Sequence, residues 1–158
     1  MAKQKARKST ETPRIVNRKA TAEFEILEKI EAGIALKGTE VKSLRNGDAS
    51  LTEAYARIDG RQVSLINFQI QPYKEGGVFN HNPKRIKRLL LHKGEIKRLL
   101  SKVTIKGQTL IPLRVYFNAN GLAKVELALA RGRQIHDKRQ VQRKRQDLRD
   151  IARVMKRR

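Results

Sequence analysis

The sequence predicts a mainly β fold: a small closed or nearly closed β-barrel with short flanking α-helices and a basic C-terminal tail. Several segments alternate apolar and polar residues, as half-buried strands do. Two turn signals, Asp59-Gly60 and Asn120-Gly121, each stand between two such segments and are typical of β-hairpins. Short segments with helical spacing interrupt the strands, and the whole pattern spans about 110 residues.

The first strand is predicted in "AEFEILEKIEAGIALKG". A helix is also compatible with this segment, because Phe24, Leu27, Ile30 and Ile34 fall at helical spacing. Gly33 and the β-branched residue after it favour a long strand. Apart from Glu28, one face of that strand is apolar and the other is charged. The apolar face would hold Phe24, Ile26, Ile30, Ala32, Ile34 and Leu36, and the charged face Glu25, Lys29 and Glu31.

A short helix is predicted next, in "GTEVKSLRNGD". We expect Thr39 to cap its N-terminus and Glu40 to lie at the positive end of the helix dipole. Asn46-Gly47 would end the helix.

The remaining strands follow from hairpin patterns. In "AYARIDGRQVSLINFQIQP", two strands would join at Asp59-Gly60, with Ile66, Phe68 and Ile70 facing the core. Leu89 to Leu91 would form a buried strand or begin a helix, and "GEIKRLLSKV" has Ile96, Leu99, Leu100 and Val103 at helical spacing. The second hairpin, in "LIPLRVYFNANGLAKVELALA", sets Ala123, Val125, Leu127 and Leu129 against Lys124, Glu126 and Ala128. The OB-fold is one architecture of this kind, and it commonly binds oligonucleotides.

The charge is extreme and unevenly placed. The chain has 37 Lys and Arg against 15 Asp and Glu, a formal net charge of +22. Residues 1–16 form a basic segment that we expect to be flexible, residues 17–130 a barrel, and residues 131–158 a basic tail that is disordered when free. Such a charge points to a polyanion as partner, with nucleic acid first and an anionic membrane as the main rival.

The sequence excludes or disfavours several functions. There is no cysteine, and the three histidines lack metal-ligand spacing. No phosphate-binding glycine motif or serine nucleophile motif occurs, so we expect neither a cofactor nor catalysis. The glutamates of "EFEILEKIE" leave a metal-dependent nuclease open, but composition favours a solvated strand face as the explanation of Glu25 and Glu31. No apolar run is long enough to cross a membrane, and no secretory signal is visible. We therefore expect a cytoplasmic protein.

Two basic segments carry further information. In "HNPKRIKRLLLHK", Arg85, Lys87 and Arg88 precede three leucines, so a basic edge would be anchored to the core and could face phosphates with fixed geometry. In the tail, like charges crowd neighbouring turns and disfavour a free helix, but phosphates would neutralise them and let it fold on binding. Its helical stripe consists of Val141, Leu148, Ile151 and Met155. A membrane or calmodulin would also accept a basic amphipathic helix, but this stripe is thin and lacks Trp and Phe.

Four segments in order, "EAGIALKGTEVKSLRNG", "HNPKRIKRLLLHKGEI", "GLAKVELALARG" and "IHDKR", resemble the small protein B family, the SsrA-binding proteins of bacteria. The resemblance runs from about Asn17 to the C-terminus. It implies an OB-type closed barrel, and it makes the first segment a strand. It also implies a non-enzymatic, monomeric adaptor of trans-translation. This adaptor would bind the tRNA-like domain of transfer-messenger RNA and deliver it to ribosomes stalled on truncated mRNA, with elongation factor Tu as an expected member of the delivery complex.

The resemblance also implies residue roles. The family's RNA-contacting positions correspond to Asn17, Lys19, Glu31, Arg45, Arg85, Lys87 and Leu91. The tail would occupy the vacant decoding centre, contacting mainly small-subunit rRNA, and then the empty mRNA channel. The residues expected to make those contacts are His136, Asp137, Lys138, Arg139, Arg143, Lys144 and Arg145. The ring of His136 would either stack on a ribosomal base or remain exposed.

Two other functions stay open at this stage. One is a ribosomal or RNA-chaperone protein whose basic segments only neutralise rRNA, and the other is the nuclease. Preference for one structured RNA over others of equal length separates the adaptor from the first, and Mg²⁺-dependent cleavage would support the second.

Overall fold

The structure is a computed structural model that describes residues 13–105, 107–133, 143–144, 146–151, 153 and 155. Its nine strands are β1 Ile15–Val16, β2 Phe24–Ile34, β3 Ala49–Ser50, β4 Tyr55–Asp59, β5 Gln62–Ile66, β6 Gln69–Ile70, β7 Lys87–Leu90, β8 Gln108–Phe117 and β9 Ala123–Gly132. Its three helices with defined bounds are α1 Ala20–Glu23, α2 Gly38–Arg45 and α3 Lys93–Val103, and a 3₁₀ turn spans Gly77–Phe79.

Seven strands form one antiparallel sheet in the order β1-β8-β4-β5-β7-β2-β9, and β3 pairs separately with β6. Strand β9 also pairs with β8. The strand pairings β8-β4-β5-β7-β2-β9-β8 therefore form a circuit. The prediction of a mainly β fold with short helices is thus confirmed. The main core lies on the inner face of this sheet and includes Val63, Leu65, Leu99, Val115 and Leu127, all fully buried.

The long first strand is confirmed as β2, but its apolar residues do not all share one face. A β-bulge at Leu27 interrupts the pairing with β9, so Ile26 lies opposite Ala130 and Glu28 opposite Leu129. Ala130 and Leu129 are adjacent in β9 and point to opposite faces of the sheet. The bulge therefore changes which alternate residues of β2 face the core. Phe24 and Ile26 consequently pack on the outer face in a second, smaller cluster with Ala20, Ile111, Leu113, Ala128 and Ala130.

Helix α2 ends as predicted but begins differently. Asn46 caps its C-terminus and Gly47 has the left-handed φ of 84° that the turn needs. The prediction that Thr39 caps its N-terminus is wrong, because Lys37 is the N-cap residue and Thr39 lies inside the first turn. The Glu40 carboxylate accepts a 2.7 Å hydrogen bond from the backbone N–H of Lys37, which satisfies one free donor of the helix start.

Both predicted hairpins form, with two local differences. The β4–β5 turn consists of Gly60 and Arg61 rather than Asp59-Gly60, because Asp59 pairs with Gln62. Ile66 is only half-buried. Asn67, with φ of 58°, breaks the alternation after β5 and returns Phe68 and Ile70 to the core as predicted.

Residues 87–103 divide into a strand and a helix. Of the two alternatives for the leucine triplet, the strand is correct for Leu89 and Leu90, which end β7, but only Leu89 is buried, Leu90 is 54% exposed and Leu91 follows the strand. In α3, Ile96 and Leu99 are buried and Val103 packs against the core, whereas Leu100 is 40% exposed. No helix of the described part of the chain is long and apolar enough to cross a bilayer.

Candidate RNA interface

Glu31 lies on the outer face of the β2–β9–β8 part of the sheet, where its carboxylate is held from two sides. The hydroxyl of Tyr116 on β8 donates a hydrogen bond to Oε2, and Lys124 Nζ on β9 lies 3.3 Å from Oε1. Half of the Glu31 side chain, 53%, remains exposed. The carboxylate is therefore fixed in direction but still open to a ligand.

Strand register explains why these residues meet. Glu31 lies opposite Glu126, which in turn lies opposite Arg114, and Arg114 lies opposite Val16 of β1. Directly paired residues of antiparallel strands point to the same face, so the four side chains form one row across four strands. Tyr116 and Lys124 are paired with each other in the next row.

The charges in this row are arranged in pairs. Glu126 accepts a hydrogen bond from Arg114 Nε and has Lys29 Nζ at 3.5 Å. The guanidinium of Arg114 lies 5.3 Å from the centre of the Tyr116 ring. Two carboxylates thus hold three cations and one aromatic ring on one side of the sheet. We call Lys29, Glu31, Arg114, Tyr116, Lys124 and Glu126 the outer-face cluster.

The contacts also keep Glu31 ionised. The hydrogen bond from Tyr116 lowers the pKa of the Glu31 carboxyl, partial desolvation opposes this effect, and Lys124 strengthens it. The same bond raises the pKa of the Tyr116 hydroxyl, so the phenol stays a donor near neutral pH. A fixed acceptor beside fixed cations can contact both the sugar-phosphate backbone and a base edge.

Asn17 and Lys19 lie at the corner between β1 and α1, with different exposure. The Asn17 amide bonds the carbonyls of Leu51 and Pro112 at 3.2 and 3.3 Å, and its Oδ1 accepts the N–H of Ala20 at 3.2 Å. Lys19 is exposed. Asn17 therefore shapes the corner through internal contacts, whereas Lys19 presents its charge to solvent.

Arg45 and Leu91 also belong to different environments. Arg45 is exposed and its guanidinium lies 5.3 Å from the centre of the Phe117 ring, at the end of β8. It therefore stands beside the hairpin that carries Tyr116 and Lys124. Leu91 is half-buried and packs against the main core after β7.

Arg85 is engaged in a buried ion pair. Its Nε and Nη2 donate to the two oxygens of Glu40 at 3.0 and 2.7 Å, and Glu40 is fully buried. Burial raises the pKa of Glu40, but donation from Arg85 and from the Lys37 N–H outweighs it, so the pKa is lowered overall. The guanidinium side chain keeps 29% exposure and also donates to the carbonyl of Ile86 at 3.1 Å.

Lys87 is buried outright, with 0% of the residue exposed. Its ammonium donates to the carbonyls of Phe68 and Pro83, the latter at 3.2 Å. Burial is the main cause that lowers the pKa of Lys87 to about 8, against the opposing attraction of Glu40. The side chain therefore supports the segment from inside and offers no ammonium to an external phosphate.

The tail residues are only partly described. Arg143 and Lys144 are helical and exposed, whereas His136, Asp137, Lys138, Arg139 and Arg145 lie outside the described residues. Of the apolar stripe, Val141 lies outside the described residues, and Leu148, Ile151 and Met155 are 67%, 54% and 76% exposed. Three apolar side chains of one helical stripe are thus free for a contact.

Sequence reasoning picked out Glu31 but missed the side chains around it. The alternation of the second hairpin already placed Lys124 and Glu126 on one face, opposite the core residues. What it lacked was the pairing of β2 with β9, which joins residues about 95 positions apart. Arg114 and Tyr116 carried no signal beyond being polar residues of a strand. Among the described residues, no group of His, Asp or Glu could hold a metal ion.

Comparison with known proteins gives a consistent result. A family model described as SmpB protein matches residues 14–157. The SsrA-binding protein of Pelotomaculum thermopropionicum is 54% identical over 142 residues, covering 90% of this chain and 92% of that protein. The SsrA-binding protein of Caulobacter vibrioides is 49% identical over 140 residues, covering 89% and 92%. A chain of the solved structure "tmRNA-SmpB: a journey to the center of the bacterial ribosome" is similar with a TM-score of 0.67 and 53% identity, covering 78% of this chain and 86% of that chain.

Removing the buried carboxylate should destabilise the fold. Glu40→Ala leaves Arg85 without its partner in a largely buried place, and we expect a loss of about 3 kcal/mol in the free energy of unfolding. The control is Asp59→Ala, which breaks the exposed Arg57–Asp59 pair and should cost less than about 1 kcal/mol. Urea denaturation measures both. Equal, small losses would contradict a structural role for the buried pair.

Lys87 should give the fold a distinctive alkaline response. Between pH 8 and 10.5 the folded state releases the Lys87 proton while the unfolded chain still holds it. Because the unfolded state then binds more protons, stability rises with pH in this window. Relative to Lys87→Met, the wild type should gain on the order of 3 kcal/mol from pH 8 to pH 10.5. A constant difference between the two proteins in denaturation series would show that Lys87 is not a buried cation.

Proposed function

This chain belongs to the SmpB protein family, as its four segments predicted, and we propose that it is an RNA-binding adaptor of trans-translation. In this proposal it binds the tRNA-like domain of transfer-messenger RNA and brings that RNA to ribosomes stalled on truncated messages. The strongest single support is the similarity, at 53% identity, to a chain from a tmRNA-SmpB structure concerned with the bacterial ribosome. We assign the chain a binding role and no catalytic step.

We infer that the body is an OB-type closed barrel. The support is the circuit of strand pairings that starts and ends at β8, with short helices attached to it. A closed sheet holds its outer side chains on a rigid frame, so a ligand meets them in fixed relative positions. Such a frame suits recognition of a folded RNA by its shape, because shape is read from the positions of phosphates and 2′-hydroxyls.

We propose that the outer-face cluster binds the tRNA-like domain. Lys29, Arg114 and Lys124 would contact phosphates, and the fixed Glu31 carboxylate would accept a hydrogen bond from a 2′-hydroxyl or a base amino group. Lys19 and Arg45, both exposed, would extend the phosphate contacts. Glu31 would provide specificity for the RNA. Its carboxylate repels any phosphate placed next to it, so an RNA that brings a phosphate to this position instead of a hydrogen-bond donor would bind poorly.

The other expected RNA-binding residues would act by positioning. Asn17 holds the corner that presents Lys19, and Arg85 and Lys87 hold the segment that ends in Leu91. Leu91 is half-buried, so it would offer part of an apolar edge to the RNA while packing on the core.

For the tail we propose insertion into the vacant decoding centre and the empty mRNA channel. His136, Asp137, Lys138 and Arg139 would contact the decoding centre, and Arg143, Lys144 and Arg145 the rRNA along the channel. The exposed stripe of Leu148, Ile151 and Met155 supports a helix that gains a partner surface there. A message that extends past the decoding site would exclude the tail sterically, so the absence of a competitor would provide specificity.

The remaining parts of the proposal concern its setting. The ribosome and transfer-messenger RNA are the proposed partners, and their location makes the cytoplasm the proposed site of action. Participation of elongation factor Tu and a monomeric state stay predictions. The net charge of +22 also supports the alternative of a general cation for RNA, which the following experiment separates.

A competition experiment tests the RNA preference. Labelled tRNA-like domain is bound to the protein at near-physiological salt and challenged with unlabelled folded RNA of equal length. The salt is essential, since a protein that touches 6–10 phosphates loses about 10³–10⁵ in affinity between 50 and 200 mM. The adaptor proposal expects the cognate RNA to resist excess competitor. Displacement in proportion to concentration would favour the general cation.

The same assay with Glu31→Gln isolates the specific contact. The substitution removes a negative charge, so a purely electrostatic binder would bind RNA more tightly. The proposal expects the opposite, a loss of about tenfold for the cognate RNA, because a hydrogen bond to a charged group is lost. Glu53→Gln changes the net charge equally at another exposed position and is the control. Tighter binding by both variants would contradict the role of Glu31.

Tail substitutions should separate RNA binding from ribosome rescue. With Asp137, Lys138 and Arg139 changed to Ala, we expect unchanged affinity for the tRNA-like domain, because that contact belongs to the barrel. Peptide tagging on a truncated message in a reconstituted translation system should be lost. A wild-type reaction on a message that extends beyond the decoding site serves as the negative control. Normal tagging by the triple variant would contradict the proposed role of the tail.

A further inference from the structure

Two apolar side chains face solvent at the tip of the loop between β6 and β7. Val78 and Phe79 are 99% and 93% exposed, the highest values among the large apolar residues that the structure describes. Phe is normally among the buried residue types, and a fully solvated ring forgoes the stabilisation that burial would provide. The outer-face cluster and the tail make no use of this tip.

The base of the loop is closed by one side chain. The Asn80 amide donates to the carbonyl of Tyr73 at 2.7 Å and accepts from the N–H of Tyr73 at 3.0 Å, as a paired strand residue would. A Cβ atom on Gly76 would lie only 2.8 Å from Asn80 Nδ2, and Gly77 has φ of 51°. Two glycines and one amide thus form a defined turn that holds Phe79 outward.

The loop is also tied to the body next to Asn80. His81 is buried, with Nε2 3.1 Å from the Ile70 carbonyl and Nδ1 2.9 Å from Thr39 Oγ1. In the neutral ring Nε2 must donate to that carbonyl, so Nδ1 accepts from the Thr39 hydroxyl. The residue that was expected to cap α2 instead connects α2 to this loop.

Cations lie on the loop, on its flank and on the helix α2 beside it. Lys74 and Lys84 are exposed on the loop and its flank, while Glu75 accepts the Tyr73 hydroxyl at 2.9 Å. Lys42 of α2 lies 5.1 Å from the Tyr73 ring centre. Lys42 and Arg45 are three residues apart and therefore share one side of α2, and Arg45 covers Phe117, which packs against the main core. Positive charge thus lies on the loop and on the side of α2 that contacts it through Tyr73.

We propose that Phe79 stacks on an unpaired base of the RNA partner, a contact that rests on the proposed function and extends its surface. A flat ring flanked by cations is the usual composition of a stacking site for single-stranded nucleotides. A protein pocket or a bilayer would be met by a broader apolar surface. In residues 71–86, the whole loop, the exposed side chains other than Pro72, Val78, Phe79 and Ile86 are polar or charged.

Fluorescence of a single tryptophan tests the stacking. The chain has no tryptophan, so Phe79→Trp of the full chain carries one reporter at the tip. It is titrated with the tRNA-like domain of transfer-messenger RNA, and separately, together with transfer-messenger RNA, with ribosomes stalled on a truncated message. A stacked base should quench the emission in at least one titration. Ile105→Trp, at a position that is 55% exposed after α3, should change little.

Affinity measurements complete the test. They use the RNA that quenches the emission of Phe79→Trp. Phe79→Ala should weaken binding by between about 5-fold and 100-fold, and Phe79→Tyr should retain it. Val78→Ala is the matched control, because valine is equally exposed and has no flat face. Equal small effects of Phe79→Ala and Val78→Ala would overturn the proposal.

The failures of the two proposals are distinguishable. If wild-type protein resists competitor RNA but Phe79→Trp is not quenched in either titration, the stacking inference falls and the adaptor function stands. A blue shift without quenching on the ribosome would identify a protein pocket and also overturn stacking. If wild-type protein shows no preference among RNAs of equal length, the adaptor function itself falls.

Discussion

The buried ion pair between Glu40 and Arg85 is the interaction on which the arrangement of α2, β7 and the loop between β6 and β7 depends. Glu40 starts α2 by accepting the Lys37 N–H and at the same time holds Arg85 with both carboxylate oxygens. Removing one partner of such a pair leaves a buried charge uncompensated, so the fold is held to the geometry in which both partners meet. This geometry sets the direction of α2, from which Lys42 reaches the ring of Tyr73 and Arg45 reaches the ring of Phe117.

A chain with 37 basic and 15 acidic residues has to place its few carboxylates carefully. In the described body they bind cations at selected points: Glu28 holds Arg98 and Lys102, and Glu126 holds Arg114 and Lys29. Each pair fixes a long side chain that would otherwise sample many rotamers. The general excess of charge supplies attraction to RNA, and the carboxylates give that charge a defined shape on the sheet.

Local pattern predicted the elements well and their mutual positions poorly. The second hairpin and α3 follow from alternation, turn residues and helical spacing, which are properties of adjacent residues. The bulge at Leu27 and the left-handed Asn67 are decided by pairing and packing with distant strands, so alternation misplaced Phe24, Ile26 and Ile66. The site shows the same division. Glu31 was found by resemblance, while its contacts with Tyr116 and Lys124 depend on strand order. Lys87 lies two residues before Leu89, so alternation itself would have placed it inside.

Site-specific photo-crosslinking to the tRNA-like domain tests most directly whether the outer face of β2, β9 and β8 binds RNA. A photoreactive residue is placed in turn at Val16, which flanks the outer-face cluster, at Lys29, which belongs to it, and at Lys97 and Arg57, which are exposed on α3 and β4. The account predicts efficient crosslinks from Val16 and Lys29 and weak ones from Lys97 and Arg57. Crosslinks mainly from α3 and β4, with Val16 and Lys29 unreactive, would contradict it.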